Sequence, residues 1–277
     1  MIGELTIHRD HEQRSAAWYA ARCGMVTAST VARLIAVGSP GADSCECPEC
    51  GAAAGQQCVS LRGGTPIKTT HSQRVSLATE HAATSPPVIT IADNDTARSI
   101  LTTLAAERLT GLTEDTPVTS DMWRGINAEP FAREAYAATR GVDVEEVGLM
   151  VRDFGWSRLG YSSDGLVGDA GLIEIKAPRA KGHIDTVLND EIPGQHMAQL
   201  QTGLLVSGRA WIDYVSFSGG LHLWCRRVEP EQNWRDAILA ALAHAEDRIA
   251  DIASRYLAAV EGLPATHPLP TFDDIVI

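Results

Sequence analysis

The stretch "SSDGLVGDAGLIEIKAP" (residues 162–178) places two carboxylates and a lysine where a sheet strand normally carries valine and leucine. Glu174 and Lys176 alternate with isoleucines, so these two side chains share one face of a strand while the isoleucines point into the opposite layer. Asp164 lies near the end of the preceding strand and can meet them if the turn "GLVGDAG" folds the strands together. The stretch therefore predicts that Asp164, Glu174 and Lys176 converge at one point.

Two carboxylates at one point suit a hard divalent cation, because Mg²⁺ prefers oxygen ligands and keeps several of its waters. We expect the backbone carbonyl of Ile175 to be a further ligand. Such a metal lowers the pKa of its bound water and neutralises charge on a phosphate during displacement. Lys176 would orient or help to deprotonate that water, or stabilise the pentavalent phosphate. The alternative is an ordinary Glu–Lys pair on a surface hairpin, because an isolated E-x-K motif has little specificity.

The whole chain has 277 residues, of which 44% are hydrophobic, enough for the core of one large domain or of one domain with a small module. We expect the second arrangement. The formal charge of −12 argues against a protein that coats nucleic acid, but it allows a local basic channel. The sequence contains neither a run of about 20 apolar residues nor a secretory signal pattern, so we expect an intracellular protein without membrane contact.

The order of helical and strand patterns predicts the fold class. We expect two short helices, "HEQRSAAWYAARCG" and "TASTVARLIAVG", the second ending at Gly38, and then two longer helices around residues 93–111 and 120–141, with a kink or a new start at Pro130. Period-two patterns predict strands over residues 142–152, 157–168, 171–177, 209–217 and 221–228. A helix, "PGQHMAQLQTGLLVSG", and a long C-terminal amphipathic helix complete an α/β fold with a central mixed β-sheet flanked by helices.

Residues 39–95 are rich in small residues, proline and cysteine and lack sustained periodicity, so this segment needs a stabilising device. In a reducing compartment its crowded cysteines indicate metal ligation rather than disulfides. A Cys-x2-Cys pair with a later cysteine and histidine predicts a structural zinc site formed by Cys47, Cys50, Cys58 and His71. Cys45 could replace His71. Because the segment has little apolar content, we expect its folding to require zinc, as a module at residues 42–74 inserted into a single domain of residues 1–277.

The pattern "SSDGLV" followed by "LIEIKAP" resembles the nuclease core of the PD-(D/E)XK (restriction-endonuclease-like) superfamily, and specifically the phage lambda exonuclease or YqaJ-like viral recombinase group. Three further stretches agree with this group in order and spacing: "WYAARCGMVTAST", "WRGINAEPFAREAYAATRG" and "HMAQLQTGLLVSG". The cysteine-rich segment resembles small phage zinc fingers of the form C-P-x-C-G-A-x2-G-x2-C…H-x2-R, with Arg74 at the last position. The family usually has proline before the aspartate, where this chain has Ser163, a change that affects the turn but removes no ligand.

The resemblance implies a catalytic set that holds Mg²⁺ or Mn²⁺ and acts on a phosphodiester: Asp164, Glu174, Lys176, Glu129 and Gln199. In this set Glu129 is an additional acidic residue at the metal, and Gln199 contacts the reacting phosphate or supports Lys176. Arg22, with Ser29 nearby, would hold a 5′-terminal phosphate. Glu129, Gln199 and Arg22 could instead be ordinary helix residues. Gln201 lies two positions from Gln199 on a helix, so only one of the two can face the site.

The function implied by the resemblance is a Mg²⁺-dependent exonuclease that degrades one strand of double-stranded DNA from the 5′ end. It would supply single strands for phage homologous recombination in the cytoplasm of a host bacterium. The implied partners are double-stranded DNA ends, a single-strand annealing protein and two further copies in a ring-shaped homotrimer. Two alternatives stay open: a related endonuclease or single-strand nuclease, or a zinc-containing DNA-binding scaffold for recombination that does not cut.

Overall fold

The computed structural model describes residues 3–82, 85–114 and 118–267. The chain forms two compact units, one of Met1–Ile35 with Ile91–Ile277 and the other of Ala36–Thr90. The larger unit contains the carboxylates and the lysine of the 162–178 stretch, and the smaller unit contains the cysteine-rich segment. Among the described residues, every helix is too short or too polar to cross a membrane.

Helices and strands are interspersed along the chain. The first elements are β1 (Glu4–His8), α1 (Ala16–Arg22), β2 (Val26–Thr27) and α2 (Ala28–Leu34). The smaller unit contains most or all of β3 (Ile35–Gly38), α3 (Ser72–Ala82) and β4 (Val88–Ile91). The larger unit continues with α4 (Asp95–Thr110), α5 (Ser120–Arg140), β5 (Val144–Glu145), β6 (Leu149–Asp153), β7 (Arg158–Tyr161), β8 (Gly165–Val167) and β9 (Gly171–Lys176). The last elements are α6 (Ala180–Asn189), α7 (Met197–Ser207), β10 (Trp211–Ser216), β11 (Trp224–Val228) and α8 (Gln232–Ala259).

The larger unit is built on two mixed sheets. One has the strand order β1-β6-β7-β2 and the other the order β11-β10-β9-β8-β5. Strand β9 runs parallel to β10 and antiparallel to β8, and β2 runs parallel to β7. This arrangement confirms the predicted α/β fold with mixed sheet and flanking helices, although the strands divide between two sheets.

Strand β9 is buried on both faces, and its alternating sequence separates charge from core. Ile173 and Ile175 pack on one face against Ala132 and Tyr136 of α5. Glu174 points to the other face, where it meets a side chain of α7. The apolar residues of the strand therefore hold it in the core, while its charged residues open toward α7.

The prediction of the second short helix was wrong at the C-terminal end of that helix. Helix α2 stops at Leu34, and Ile35–Gly38 forms strand β3, which pairs with β4. The segment contains Ile35 and Val37, whose β-branched side chains favour extended backbone. Strand pairing with a segment more than fifty residues away therefore overrides the helical pattern.

Other predicted boundaries were also incorrect. The expected strand over residues 142–152 is two strands, β5 and β6, which belong to different sheets, and residues 157–168 contain β7 and β8 rather than one strand. Helix α5 continues through Pro130 without interruption. Proline removes one backbone donor, but buried Ala132 and Tyr136 hold the following turns against β9. Strand β1 and helices α3 and α6 were not predicted.

Candidate active site

The structure brings Asp164, Glu174 and Lys176 together where β8 begins and β9 ends. On β9, the ammonium of Lys176 donates a hydrogen bond to Glu174 Oε1 at 2.7 Å. Asp164 lies just before β8, and its Oδ2 accepts the backbone N–H of Ile175 at 2.6 Å. The bond from Ile175 fixes the aspartate beside the strand that carries the other two residues. The geometry expected from the alternation of residues and from the turn is therefore present.

Ser163 fixes the turn that carries Asp164. Its side chain is buried, its hydroxyl donates to the carbonyl of Gly165 at 2.9 Å, and it accepts the N–H of Gly165 at 3.1 Å. From α5, Arg133 Nε donates to the carbonyl of Asp164 at 2.9 Å. Gly165 also has no room for a side chain, because a Cβ atom there would lie 2.2 Å from Val144. Hydrogen bonds and close packing thus hold the turn at the position where the family usually has proline.

Glu174 is fully enclosed by hydrogen-bond donors. Its Oε1 accepts from Lys176 and from Gln199 Nε2 at 2.6 Å, and its Oε2 accepts from the hydroxyl of Tyr161 at 2.7 Å. The sequence did not identify Tyr161, which lies on β7 in the other sheet. The signal in the sequence is indirect, because it is a glycine, Gly203, inside helix α7. A Cβ atom on Gly203 would lie 2.7 Å from the Tyr161 ring, so this glycine makes room for the tyrosine.

Gln199 connects the carboxylate of Glu174 to the ammonium of Lys176. Its Nε2 donates to Glu174, and its Oε1 accepts from Lys176 Nζ at 3.1 Å. Gln201 points elsewhere, since it donates to the carbonyl of Glu229 at 2.9 Å and accepts the N–H of Glu231 at 3.0 Å. One of the two glutamines faces the site, as their spacing on a helix requires.

The charges in the site depend on each other. Burial, and then the nearby charge of Glu174, raise the pKa of Asp164 well above its ordinary value. Burial alone would lower the pKa of Lys176, but the charges of Glu174 and Asp164 outweigh it and raise that pKa, so Lys176 is an ammonium. Burial and the same two carboxylates raise the pKa of Tyr161, which keeps its hydroxyl a donor.

This donor set fits a hard divalent cation. Burial and then the charge of Glu174 raise the pKa of Asp164, so the two carboxylates repel each other. A cation removes that repulsion, and Mg²⁺ and Mn²⁺ both prefer oxygen ligands of this kind. The chemistry of the site therefore fits a divalent metal ion.

Glu129 lies on α5 at the margin of the same site. Its carboxylate is three-quarters buried, with 23% of the side chain exposed, and its Oε1 lies 3.6 Å from Arg14 Nη2. Burial raises the pKa of Glu129, and the charge of Glu174 adds to this effect while Arg14 opposes it. The charge of the Glu129 carboxylate adds to the effects that raise the pKa of Asp164.

Arg22 and Ser29 meet at Thr27. Arg22 Nη2 donates to Thr27 Oγ1 at 3.4 Å, and Ser29 Oγ lies 3.1 Å from the same oxygen. The guanidinium of Arg22 stacks on Trp18 at 4.1 Å from the ring centroid, and Trp18 Nε1 donates to Ser162 Oγ at 2.8 Å. The pair is thus connected through Trp18 to the segment that precedes Asp164.

The smaller unit brings four candidate metal ligands together. The donor atoms of Cys47, Cys50, Cys58 and His71 all lie within 4.8 Å of one another. Cys45 lies outside this group, and its thiol points to the carbonyls of Ala42 and Arg74. Three thiols and an imidazole at this separation fit zinc, which binds sulfur and nitrogen in a closed tetrahedron. The chain therefore contains a Cys3His zinc-binding site, in which His71 rather than Cys45 lies with the three cysteines.

Arg74 organises the segment around the zinc ligands. It is 1% exposed, and its guanidinium donates to four backbone carbonyls and one thiol, those of Cys45, Gln56, Asp43, Ala53 and Cys58. A backbone hydrogen bond at His71 and the hydrogen bond from Arg74 lower the pKa of the Cys58 thiol to about 6, against the opposing effect of burial. The last position of the zinc-finger pattern is therefore a buried structural residue.

Sheet order, the β8–β9 turn and the two carboxylates with the lysine define a nuclease core of the PD-(D/E)XK type. The chain belongs to the YqaJ-like viral recombinase domain family, whose model matches residues 69–210, about half of the chain. The predicted family is thus confirmed. Residues 10–90 match a second model, described as "Putative DNA-binding phage zinc finger domain", which agrees with the Cys3His site.

Solved structures with this fold include an alkaline exonuclease, LHK-Exo, from Laribacter hongkongensis. The chain is 28% identical to it, with a TM-score of 0.59 over 89% of this chain and 100% of that chain. The complex of LHK-Exo with dAMP gives a TM-score of 0.61 at 27% identity, over 89% of this chain and 99% of that chain. A comparison with curated proteins gives no match.

Proposed function

We propose that the chain is a Mg²⁺-dependent exonuclease that degrades one strand of double-stranded DNA from the 5′ end and supplies single strands for phage homologous recombination. The observation that carries this proposal is the convergence of Asp164, Glu174 and Lys176 on a buried sheet edge. Membership of the recombinase family and the likeness to an alkaline exonuclease support the reaction type. We treat residues 1–277 as one exonuclease domain with an inserted zinc module at residues 42–74.

Asp164 and Glu174, with the carbonyl of Ile175, would hold Mg²⁺ or Mn²⁺, and Glu129 would be the additional acidic residue. When bound, such an ion would lower the pKa of a water molecule and neutralise charge on the reacting phosphate. The protein fixes the geometry around it. Gln199 holds both Glu174 and Lys176, so the carboxylate and the ammonium keep their spacing when a substrate enters.

The ammonium of Lys176 places positive charge beside the two carboxylates. The charges of Glu174 and Asp164 raise the pKa of Lys176 against the effect of burial, and its ammonium would stabilise charge on the phosphate or orient the attacking water. Arg22, with Ser29 and Thr27, would hold the terminal 5′ phosphate and so set the polarity of degradation. The supporting observation is that these side chains share one hydrogen-bonded cluster linked through Trp18 to Ser162.

The zinc module and the assembly state complete the proposal. We propose that zinc is structural and that the module contacts DNA, which the match to a phage zinc finger model supports. We further propose, by resemblance to the family, a ring-shaped homotrimer that acts with a single-strand annealing protein. A ring with an interior channel would reconcile the net charge of −12 with a DNA substrate.

The test uses linear duplexes labelled at the 5′ or the 3′ end, with and without 5′ phosphates, incubated with wild-type protein and Mg²⁺. Early release of the 5′ label as mononucleotide, faster with 5′ phosphate, is expected, and Asp164→Ala should abolish it. Covalently closed circles are the control. Equal cutting of circles would favour the endonuclease, and no degradation of any substrate by the wild type would favour the scaffold.

A further inference from the structure

A cleft with a volume of about 410 Å³ lies beside the turn that carries Asp164. The N-terminal segment before α1, helix α5 and Ser163 form its walls. Its lining includes three arginines, Arg9, Arg14 and Arg133, together with the acidic residues Asp10, Glu12, Glu129 and Glu146. None of these arginines was singled out by the sequence. Glu129, proposed above for the metal site, also lines the cleft, whereas the role proposed for Arg22 does not use it.

Arg14 is held in a backbone conformation that its side chain disfavours. Its φ is +72°, in the left-handed region where side chains other than glycine are strained. Both neighbours are anchored: Gln13 Nε2 donates to the carbonyl of Ser163 at 3.2 Å, and Ser15 Oγ accepts the N–H of Trp18 to begin α1. Strain of this kind persists where the surroundings impose it, and it is concentrated at functional sites.

The guanidinium of Arg14 has unused donors. Among the described residues it makes no hydrogen bond, and its nearest carboxylate oxygen is Glu129 Oε1 at 3.6 Å. The side chain is 39% exposed, so a ligand in the cleft can reach it. An arginine presents five N–H donors in a planar fork that matches two oxygens of a phosphate.

The other two arginines form ion pairs with carboxylates that are exposed to solvent. Arg133 is 15% exposed and pinned by its bond to the Asp164 carbonyl, whereas its partner Glu146, at 2.8 Å, is 68% exposed. Arg9 pairs with Glu145, which is 55% exposed. The pair of Arg9 and Glu145 is exposed on both sides and contributes little stability, so an incoming phosphate can displace Glu145 into solvent at low cost.

We infer that this cleft is a phosphodiester-binding subsite, with Arg14 as its main ligand, for a backbone phosphate of the DNA strand that lies in the active site. Arg133 connects the subsite to the metal site, because the same side chain holds the carbonyl of Asp164. The inference deepens the proposed function and rests on it. It assigns to the cleft a phosphate of the strand, distinct from the terminal phosphate assigned to Arg22.

The variant Arg14→Gly separates folding from binding. Glycine adopts a φ of +72° without strain, so the variant should melt at the wild-type temperature or above it while losing the guanidinium. Binding of a blunt fluorescent duplex is measured by anisotropy without added Mg²⁺, so that no cleavage occurs and zinc stays in its module, between about 50 and 200 mM salt. We expect binding about five- to tenfold weaker and a log–log salt slope smaller by about one. Arg248→Ala, which removes an exposed arginine from α8, should leave both values unchanged.

Two further arms decide the source of the phosphate and the part played by charge. Binding of free dAMP should be the same in wild type and Arg14→Gly; an equal loss of dAMP and duplex binding would overturn the assignment to the strand. Arg14→Lys keeps the charge but not the planar fork, so it should bind more weakly with the wild-type salt slope. Wild-type affinity and slope in Arg14→Gly would overturn the inference. Degradation of linear duplex by wild type is measured separately and decides the proposed function alone.

Discussion

The hydroxyl of Tyr161 offers the sharpest test of how the site is held. It donates to Glu174 Oε2 at 2.7 Å from a position that is fully buried, and the two donors on Oε1 cannot replace it. Tyr161→Phe removes this oxygen and keeps the ring, which still packs against Gly203. The substitution therefore changes one hydrogen bond to a proposed metal ligand and little else.

The size of the effect follows from the kind of bond. A buried hydrogen bond to a charged group contributes about 1.5–3 kcal/mol, because the group left without its donor keeps its desolvation penalty. At about 1.4 kcal/mol per tenfold, that corresponds to a change of roughly 10- to 100-fold. Loss of residues that orient metal ligands typically weakens metal affinity by a similar factor, about 10- to 100-fold. We expect the Mg²⁺ concentration for half-maximal exonuclease rate to rise by this amount in Tyr161→Phe.

The assay is a Mg²⁺ titration of the degradation rate on linear duplex, with Tyr136→Phe as the matched control. Tyr136 is also buried and donates to a carboxylate, Asp213 Oδ2, at 2.7 Å, but Asp213 is not a proposed metal ligand. Both variants should lose thermal stability, and only Tyr161→Phe should need more metal. A Mg²⁺ requirement that stays at the wild-type value in Tyr161→Phe, or rises equally in Tyr136→Phe, would refute this account of Glu174.

Two further predictions concern the zinc module and the acid–base balance of the site. Arg74→Met should weaken zinc binding about 10- to 100-fold, whereas Arg62→Met, at an exposed position of the same unit, should not. Competition with a chromophoric chelator measures the zinc affinity of both variants. Equal affinities would contradict the structural role of Arg74. Because the pKa of Asp164 is raised in the folded state, wild type without Mg²⁺ should lose stability as pH rises from the unfolded pKa of about 4 through the folded pKa. Asp164→Asn should remove that loss and melt higher than wild type at neutral pH in buffer that lacks Mg²⁺ but retains the bound zinc. An equal change of melting temperature with pH in the two proteins would contradict the raised pKa of Asp164.

The part of the site that sequence predicts is the part set by local periodicity. Glu174 and Lys176 share a face because they are two apart on a strand, and Gln199 and Gln201 diverge because they are two apart on a helix. Asp164 joins them because a short turn closes an antiparallel pair. Each of these relations spans about a dozen residues or fewer, or needs only the assignment of one helix or strand.

The parts of the fold and of the site that the sequence does not predict depend on contacts between distant segments. Period-two patterns cannot say which neighbour a strand takes, so the run at residues 142–152 gives no sign that β5 and β6 belong to different sheets. Tyr161 reaches Glu174 from the other sheet. Helix α3 was not predicted because its segment has few apolar residues, and Arg74 within it instead bonds to backbone carbonyls of the same unit.

Ser163 shows why a departure from the family pattern need not weaken the site. Proline restricts a turn by fixing φ, whereas this serine restricts it through a buried hydroxyl that bonds to Gly165, where water cannot compete. Its carbonyl also accepts from Gln13, the residue before Arg14. The same turn therefore positions Asp164 on one side and the strained arginine on the other. A change that loosened it would disturb metal binding and strand binding together, so the two proposed sites are coupled through one serine.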